Sequence, residues 1–113
     1  MKLYHYSPNL FNHFDFSNGV HFGSAESALE AVKRKQKFCY YIYEVEVDIK
    51  NTTEVFDVGS TEEWLKTKRI EASSGFSGVS YKNLYEPSSI KSYYIWDSSI
   101  VKLISVTRSS PYC

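Results

Sequence analysis

Three histidines, His5, His13 and His21, have the widest chemical reach of any residues in this chain. An imidazole can ligate a metal, move a proton or hold a substrate hydroxyl. Their spacing matches no helical or hairpin pair of the kind a zinc site uses, and Cys39 and Cys113 have no ligand spacing either. No metal centre is expected. The chain contains no nucleophile elbow, no P-loop and no dinucleotide glycine fingerprint, and no serine is framed as a nucleophile. What remains is an ordered set of segments. His5 follows Leu3-Tyr4, and His21 sits in Gly19-Val20-His21-Phe22-Gly23-Ser24. Gly75 through Asn83 is followed by Glu86, and Ser92 through Asp97 comes last.

The elements that must position them are short. Lys2 to Tyr6 reads as a strand closed by Ser7-Pro8-Asn9. Phe11 to Phe16 reads as a loop lying over the core, and Gly19 to Gly23 as a strand bracketed by glycines. A helix follows. Ser24 is its N-cap, Glu26 lies in the first turn, and Ala25, Ala28, Leu29 and Val32 fall at helical spacing. Its basic end, Lys33 to Lys37, complements the helix dipole and reads as solvated. Tyr40 to Ile49 is the clearest strand, with Tyr41, Tyr43, Val45 and Val47 on one face and Glu44 and Glu46 on the other. Asn51-Thr52 reads as a turn and Glu54 to Val58 as a short strand or edge. Ser60-Thr61-Glu62-Glu63 is a capping box that opens a second helix, which Gly75 stops. Phe76–Tyr81, Ser92–Trp96 and Ile100–Val106 read as strands, with Lys82 to Lys91 as a polar loop. About six short strands and two helices that do not alternate give an α+β chain with a split or partly antiparallel sheet.

Composition bounds the function. The 113 residues make one domain, 1–113. Thirteen Lys+Arg against thirteen Asp+Glu leave no basic surplus, which argues against a nucleic-acid partner. No apolar run is long enough for a membrane helix, so no membrane partner is expected. Two distant cysteines argue against a disulfide framework and fit a reducing, cytoplasmic setting. Ten Tyr, seven Phe and two Trp exceed the needs of a small core, so some aromatics should line a groove.

Taken in order, the segments resemble the ADP-ribosyltransferase superfamily, on its N-terminal-histidine side, the type of diphtheria toxin and the poly(ADP-ribose) polymerases. The chain is most similar to small members encoded by phages and mobile elements. The likeness runs through Leu3-Tyr4-His5-Tyr6, Gly19-Val20-His21-Phe22, Ser24 through Val32, Gly75 through Asn83, Glu86, and Ser92 through Lys102. It implies a split sheet around a cleft that binds NAD as co-substrate, and transfer of ADP-ribose to a macromolecular target, most naturally a protein, in phage–host conflict. By that likeness His5 orients a ribose and the Tyr6 backbone holds the nicotinamide amide. His21 and Phe22 form a stacking wall, and Ser24 closes the cofactor-binding set. Glu86 is the catalytic acid, with Asp97 the runner-up and a turn cap on its own chemistry. Ser92 stands where many members carry Glu, Tyr6 stands where Gly is usual, and a second stacking Tyr is missing, with Phe14 or Tyr94 as substitutes. A member that had lost its acid would instead be a binding module that inhibits a protein.

Overall fold

The alternation at residues 41–47 organises the chain. In the computed structural model, which describes residues 1–35, 39–82 and 91–109, Tyr41, Tyr43, Val45 and Val47 are all buried on one face. They belong to β3 (Tyr41–Val47), the centre of a three-stranded antiparallel sheet between β1 (Lys2–Ser7) and β7 (Val101–Arg108). A bulge between Glu44 and Val45 shifts the register against β7.

The second sheet orders β2 (Val20–Phe22), β6 (Ser92–Ile95), β5 (Gly78–Tyr81) and β4 (Thr52–Glu54). Only the β4–β5 pair is parallel. A parallel pair needs a crossover, and α2 (Thr61–Ser73) supplies it. The Ser60 hydroxyl accepts the Glu63 N–H at 3.2 Å, as the capping box predicts. Gly75, at φ +90°, follows the helix end. Helix α1 (Ala25–Lys35) links β2 to β3. The class is α+β, with two helices and two sheets among the described residues.

Each face of the second sheet has its own apolar cluster. Val20, Phe22, Tyr93 and Ile95 pack with Leu3, Val45 and Val47 of the first sheet. The opposite face gathers Val79, Tyr81 and Tyr94 against Trp64 of α2. The segment between β1 and β2 is pinned by Tyr43. Its hydroxyl accepts the Phe11 N–H at 2.8 Å and its ring stacks on Phe11 at 4.2 Å.

Several expectations are corrected. The turn before β4 falls at Lys50-Asn51, and β4 is Thr52–Glu54 rather than a strand over 54–58, because Asn51 donates its side-chain amide to the Gly75 carbonyl and Ser77 hydroxyl and closes the turn early. Leu29 faces solvent, because α1 turns Ala28 inward instead. Cys39 is disulfide-bonded, against the expectation from sequence spacing. The reason is topological. β7 returns along β3, so Ser109 donates its N–H to the Tyr40 carbonyl at 3.0 Å, beside Cys39. Cys113, the only other cysteine, lies outside the described residues. A bonded Cys39 also removes the argument for a reducing compartment. No helix among the described residues is long and apolar enough to cross a membrane.

Gly19 carries a steric constraint of its own. It sits at φ +78°, and a Cβ there would lie 2.3 Å from the Tyr94 ring. Gly59 has nearly the same φ, +77°, with open space around it. Gly59→Ala should therefore cost only the left-handed strain, about 1–2 kcal/mol. Gly19→Ala should add an overpacking cost of about 1–3 kcal/mol. Urea unfolding of the two variants measures the difference, and equal losses would mean that the Tyr94 ring yields freely.

Candidate functional site

Among the described residues the two sheets are bridged by backbone hydrogen bonds at one residue pair. Tyr4 and Gly23 exchange two backbone hydrogen bonds, at 2.8 and 2.9 Å. His5 comes next on β1, and its Nδ1 lies 2.7 Å from the His21 carbonyl. A carbonyl only accepts, so Nδ1 carries the proton and donates. In the neutral ring Nε2 is then the lone-pair nitrogen. Burial pushes the His5 pKa down, opposed by the bond to His21.

His21 is held on three sides. Register places it opposite Tyr94, and the two rings stack at 4.6 Å. Trp64 meets it edge-on at 5.0 Å, and its Nδ1 lies 2.8 Å from the Tyr81 hydroxyl. Burial, followed by the nearby His5, lowers its pKa to about 4, with Asp57 pulling the other way. Both imidazoles are therefore neutral at pH 7.

A cleft of about 210 Å³ opens beside this joint. His5, Tyr6, His21, Tyr81, Ser92 and Arg34 line it, together with small residues of α1. Ser27, Ala28 and Ala31 leave the space, since each side chain is short and the three share one helix face. Arg34, one turn further on and exposed, brings a positive charge to the rim.

The backbone of β1 offers more. Tyr4 turns its N–H and C=O toward Gly23, away from β3. Residues two apart in a strand present their backbone groups to the same edge. Tyr6 therefore aims its N–H and C=O off the free edge of β1, just past the point where β2 ends its contact. Those are a donor and an acceptor side by side.

The residues named from sequence separate here. His5, Tyr6 and His21 converge on the cleft. Phe22 also lines it but is 1% exposed, and its ring packs on Phe14 at 5.2 Å and His5 at 5.8 Å within the core. Neighbours on a strand face opposite sides, so His21 and Phe22 do not make one stacking wall. Ser24 does not line the cleft. Its hydroxyl accepts the Ser27 N–H at 3.0 Å and caps α1. Asp97 caps the turn Ser98–Ile100, accepting from the Ser99 N–H and from the Ser77 hydroxyl, away from the cleft. Glu86 lies outside the described residues. Ser92, 3% exposed, occupies the floor, and no carboxylate lines the cleft among the described residues. No group of three or more potential metal ligands occurs among them either.

Sequence reasoning missed Trp64 and the pairing of Tyr81 with His21. Tyr81 lay within a segment that had been singled out, while Trp64 carried no signal beyond its place in a capped helix. Tyr94, considered as a substitute ring, stacks on His21 itself. No family model, no curated protein and no solved structure matches this chain.

The low pKa of His21 ties stability to pH. The unfolded chain, with an ordinary value of 6.5, takes up a proton before the folded one does. Stability is therefore full above pH 6.5 and falls as pH drops toward 4, by roughly 3 kcal/mol for this group. His5 adds a slope of the same sign. The urea midpoint of His21→Gln should change much less over that window. An unchanged slope would place the titration elsewhere.

Proposed function

We propose that the chain is a mono-ADP-ribosyltransferase that takes NAD into the cleft between its sheets and transfers ADP-ribose to a protein. The observation that carries this reading is the free edge of β1 at Tyr6, directly beside a neutral His5. A primary carboxamide, the group that marks nicotinamide, needs one acceptor for its N–H and one donor for its C=O. Tyr6 supplies both from the backbone. The cleft volume is below the roughly 300–1,000 Å³ of whole-ligand pockets. It suits one ring with its amide, and the rest of a dinucleotide would lie toward Arg34, whose charge complements a pyrophosphate.

Each residue then has a task. His5, with its Nδ1 proton committed to the His21 carbonyl, would accept a ribose hydroxyl at Nε2 and fix the sugar. His21, its plane set by Tyr94, Trp64 and Tyr81, would form the wall beside the leaving ring. Cleavage of the nicotinamide–ribose bond leaves positive charge on the sugar, which a nearby anion must stabilise. Glu86, which follows β5 in the sequence, is the carboxylate this reading assigns to that role.

A second reading rests on Ser92. It stands where the resemblance expects Glu, and the described cleft carries no acid. On this reading the fold is kept as a binding module that captures and inhibits a protein without chemistry.

Nicotinamide release and labelling of lysate protein by labelled NAD separate the two. Glu86→Ala should abolish both with thermal unfolding unchanged, and His5→Ala should lower release by about 100-fold or more, in line with losing a preorganised contact to the reacting sugar. An unlabelled lysate together with stable capture of a partner would favour the module. Full activity of Glu86→Ala would remove that residue from the mechanism.

A further inference from the structure

A second cavity, of about 470 Å³, shares His5 and His21 with the cleft, so two spaces lie against one pair of imidazoles. Its outer wall comes from the segment between β1 and β2. Phe11 and Phe14 meet at 5.0 Å and 71°, giving an aromatic corner. Asp15 and His13 complete the polar part of the lining. With histidines counted neutral, Asp15 carries the one formal charge among the described lining residues.

That carboxylate is held in place. Its Oδ1 accepts the Ser17 N–H at 3.0 Å and the Ser17 hydroxyl at 2.6 Å. The Ser17 hydroxyl, then its N–H, keep the Asp15 carboxyl below the ordinary range, so it is ionised at neutral pH. Oδ2 makes no hydrogen bond among the described residues. The cavity thus offers aromatic faces, a fixed anion and two half-buried imidazoles that carry no charge to repel a cation. An anionic ligand would meet Asp15 unfavourably. A cation on a hydrocarbon stem satisfies all three features, since the stem covers the rings and the charge reaches both a π-face and a carboxylate.

We propose that this cavity seats a cationic side chain, arginine or lysine, of a partner protein. The site does not depend on what fills the neighbouring cleft. If the cleft takes NAD, a target bound here would lie against the same pair of imidazoles as the donor.

Binding is measured on the full chain without NAD, so that it fails or succeeds independently of any transferase activity. The probes are the N-acetyl amides of arginine, lysine and citrulline, the last being neutral and nearly the shape of arginine. Ring resonances of Phe14 and His5 report occupancy by NMR. The expected result is a saturable shift with at least one cationic probe and affinity about tenfold or more lower for citrulline amide, a difference of about 1.4 kcal/mol. Asp15→Asn keeps an acceptor for Ser17 and so preserves the turn. It should bring the cationic probe down to the citrulline level and leave citrulline unchanged. Equal affinity for all three probes, cation binding that ignores Asp15→Asn in a variant of unchanged thermal stability, or no saturable shift with either cation would overturn the proposal.

Discussion

Everything around the cleft depends on how closely the Tyr4 backbone and the Ser27 and Ser92 side chains approach at Gly23. Tyr4 of β1 bonds to it on one side. A Cβ at this position would lie 3.1 Å from the Ser27 Cβ and 3.2 Å from the Ser92 Oγ. The start of α1 and the start of β6 therefore close on the same point that joins the sheets. Only a residue with little or no side chain lets all three meet. Once they do, Ser24 is placed to cap α1, the small face of that helix is turned toward β1, and the cleft between them opens. The glycine is selected here by space rather than by a left-handed backbone, since Gly23 is not among the positive-φ glycines.

The same closure accounts for the electrostatics. Joining the sheets draws His5 and His21 out of water, and burial is the leading cause of the lowered pKa of each. Their proximity adds to the effect, because charging one opposes charging the other. A pair of neutral imidazoles is thus a consequence of the fold rather than of a dedicated base. The hydrogen-bond pattern settles the tautomer of His5, since its Nδ1 faces a carbonyl that can only accept. Tyr81 sets the plane of His21 in turn. Chemistry that needs an uncharged wall and a fixed acceptor can use such a pair at neutral pH.

Where one physical signal dominated, the sequence was readable. The β3 alternation survives intact because one face is fully buried, and a slip of one residue would expose four large side chains. The capping box of α2 and the turn cap at Asp97 are local chemistry and appear as read. Legibility failed where partners come from far along the chain. Leu29 fitted the helical period, yet α1 turns Ala28 inward and leaves Leu29 half exposed, with Ser27 set against Gly23. Cys39 looked isolated by spacing, and only the pairing of β7 with β3 brings Ser109 back beside its neighbour Tyr40. His21 and Phe22 were grouped by motif, although strand alternation alone already separates them.

Several features that local preference does not favour gather along β1, β2 and the segment between them. The Tyr6 hydroxyl is buried with no hydrogen-bond partner among the described residues, a loss of about 1–3 kcal/mol relative to a satisfied group. Gly19 takes a left-handed backbone under the Tyr94 ring, and the Tyr94 hydroxyl donates to the Asn18 carbonyl next door. Two imidazoles are kept out of water without charge. The unpaired hydroxyl and the buried imidazoles oppose stability, and a replacement could relieve each singly, whereas Gly19 is the residue that makes its own backbone conformation tolerable. A surface under selection for folding alone would not concentrate such features along β1, β2 and the segment between them, while the β3–β7 side of the molecule shows none of them. Conflicts of this kind gather where a structure serves binding or catalysis, because the geometry needed there overrides local preference. The first-strand edge and the two cavities that share its histidine therefore have a stronger claim to function than any other part of the described chain.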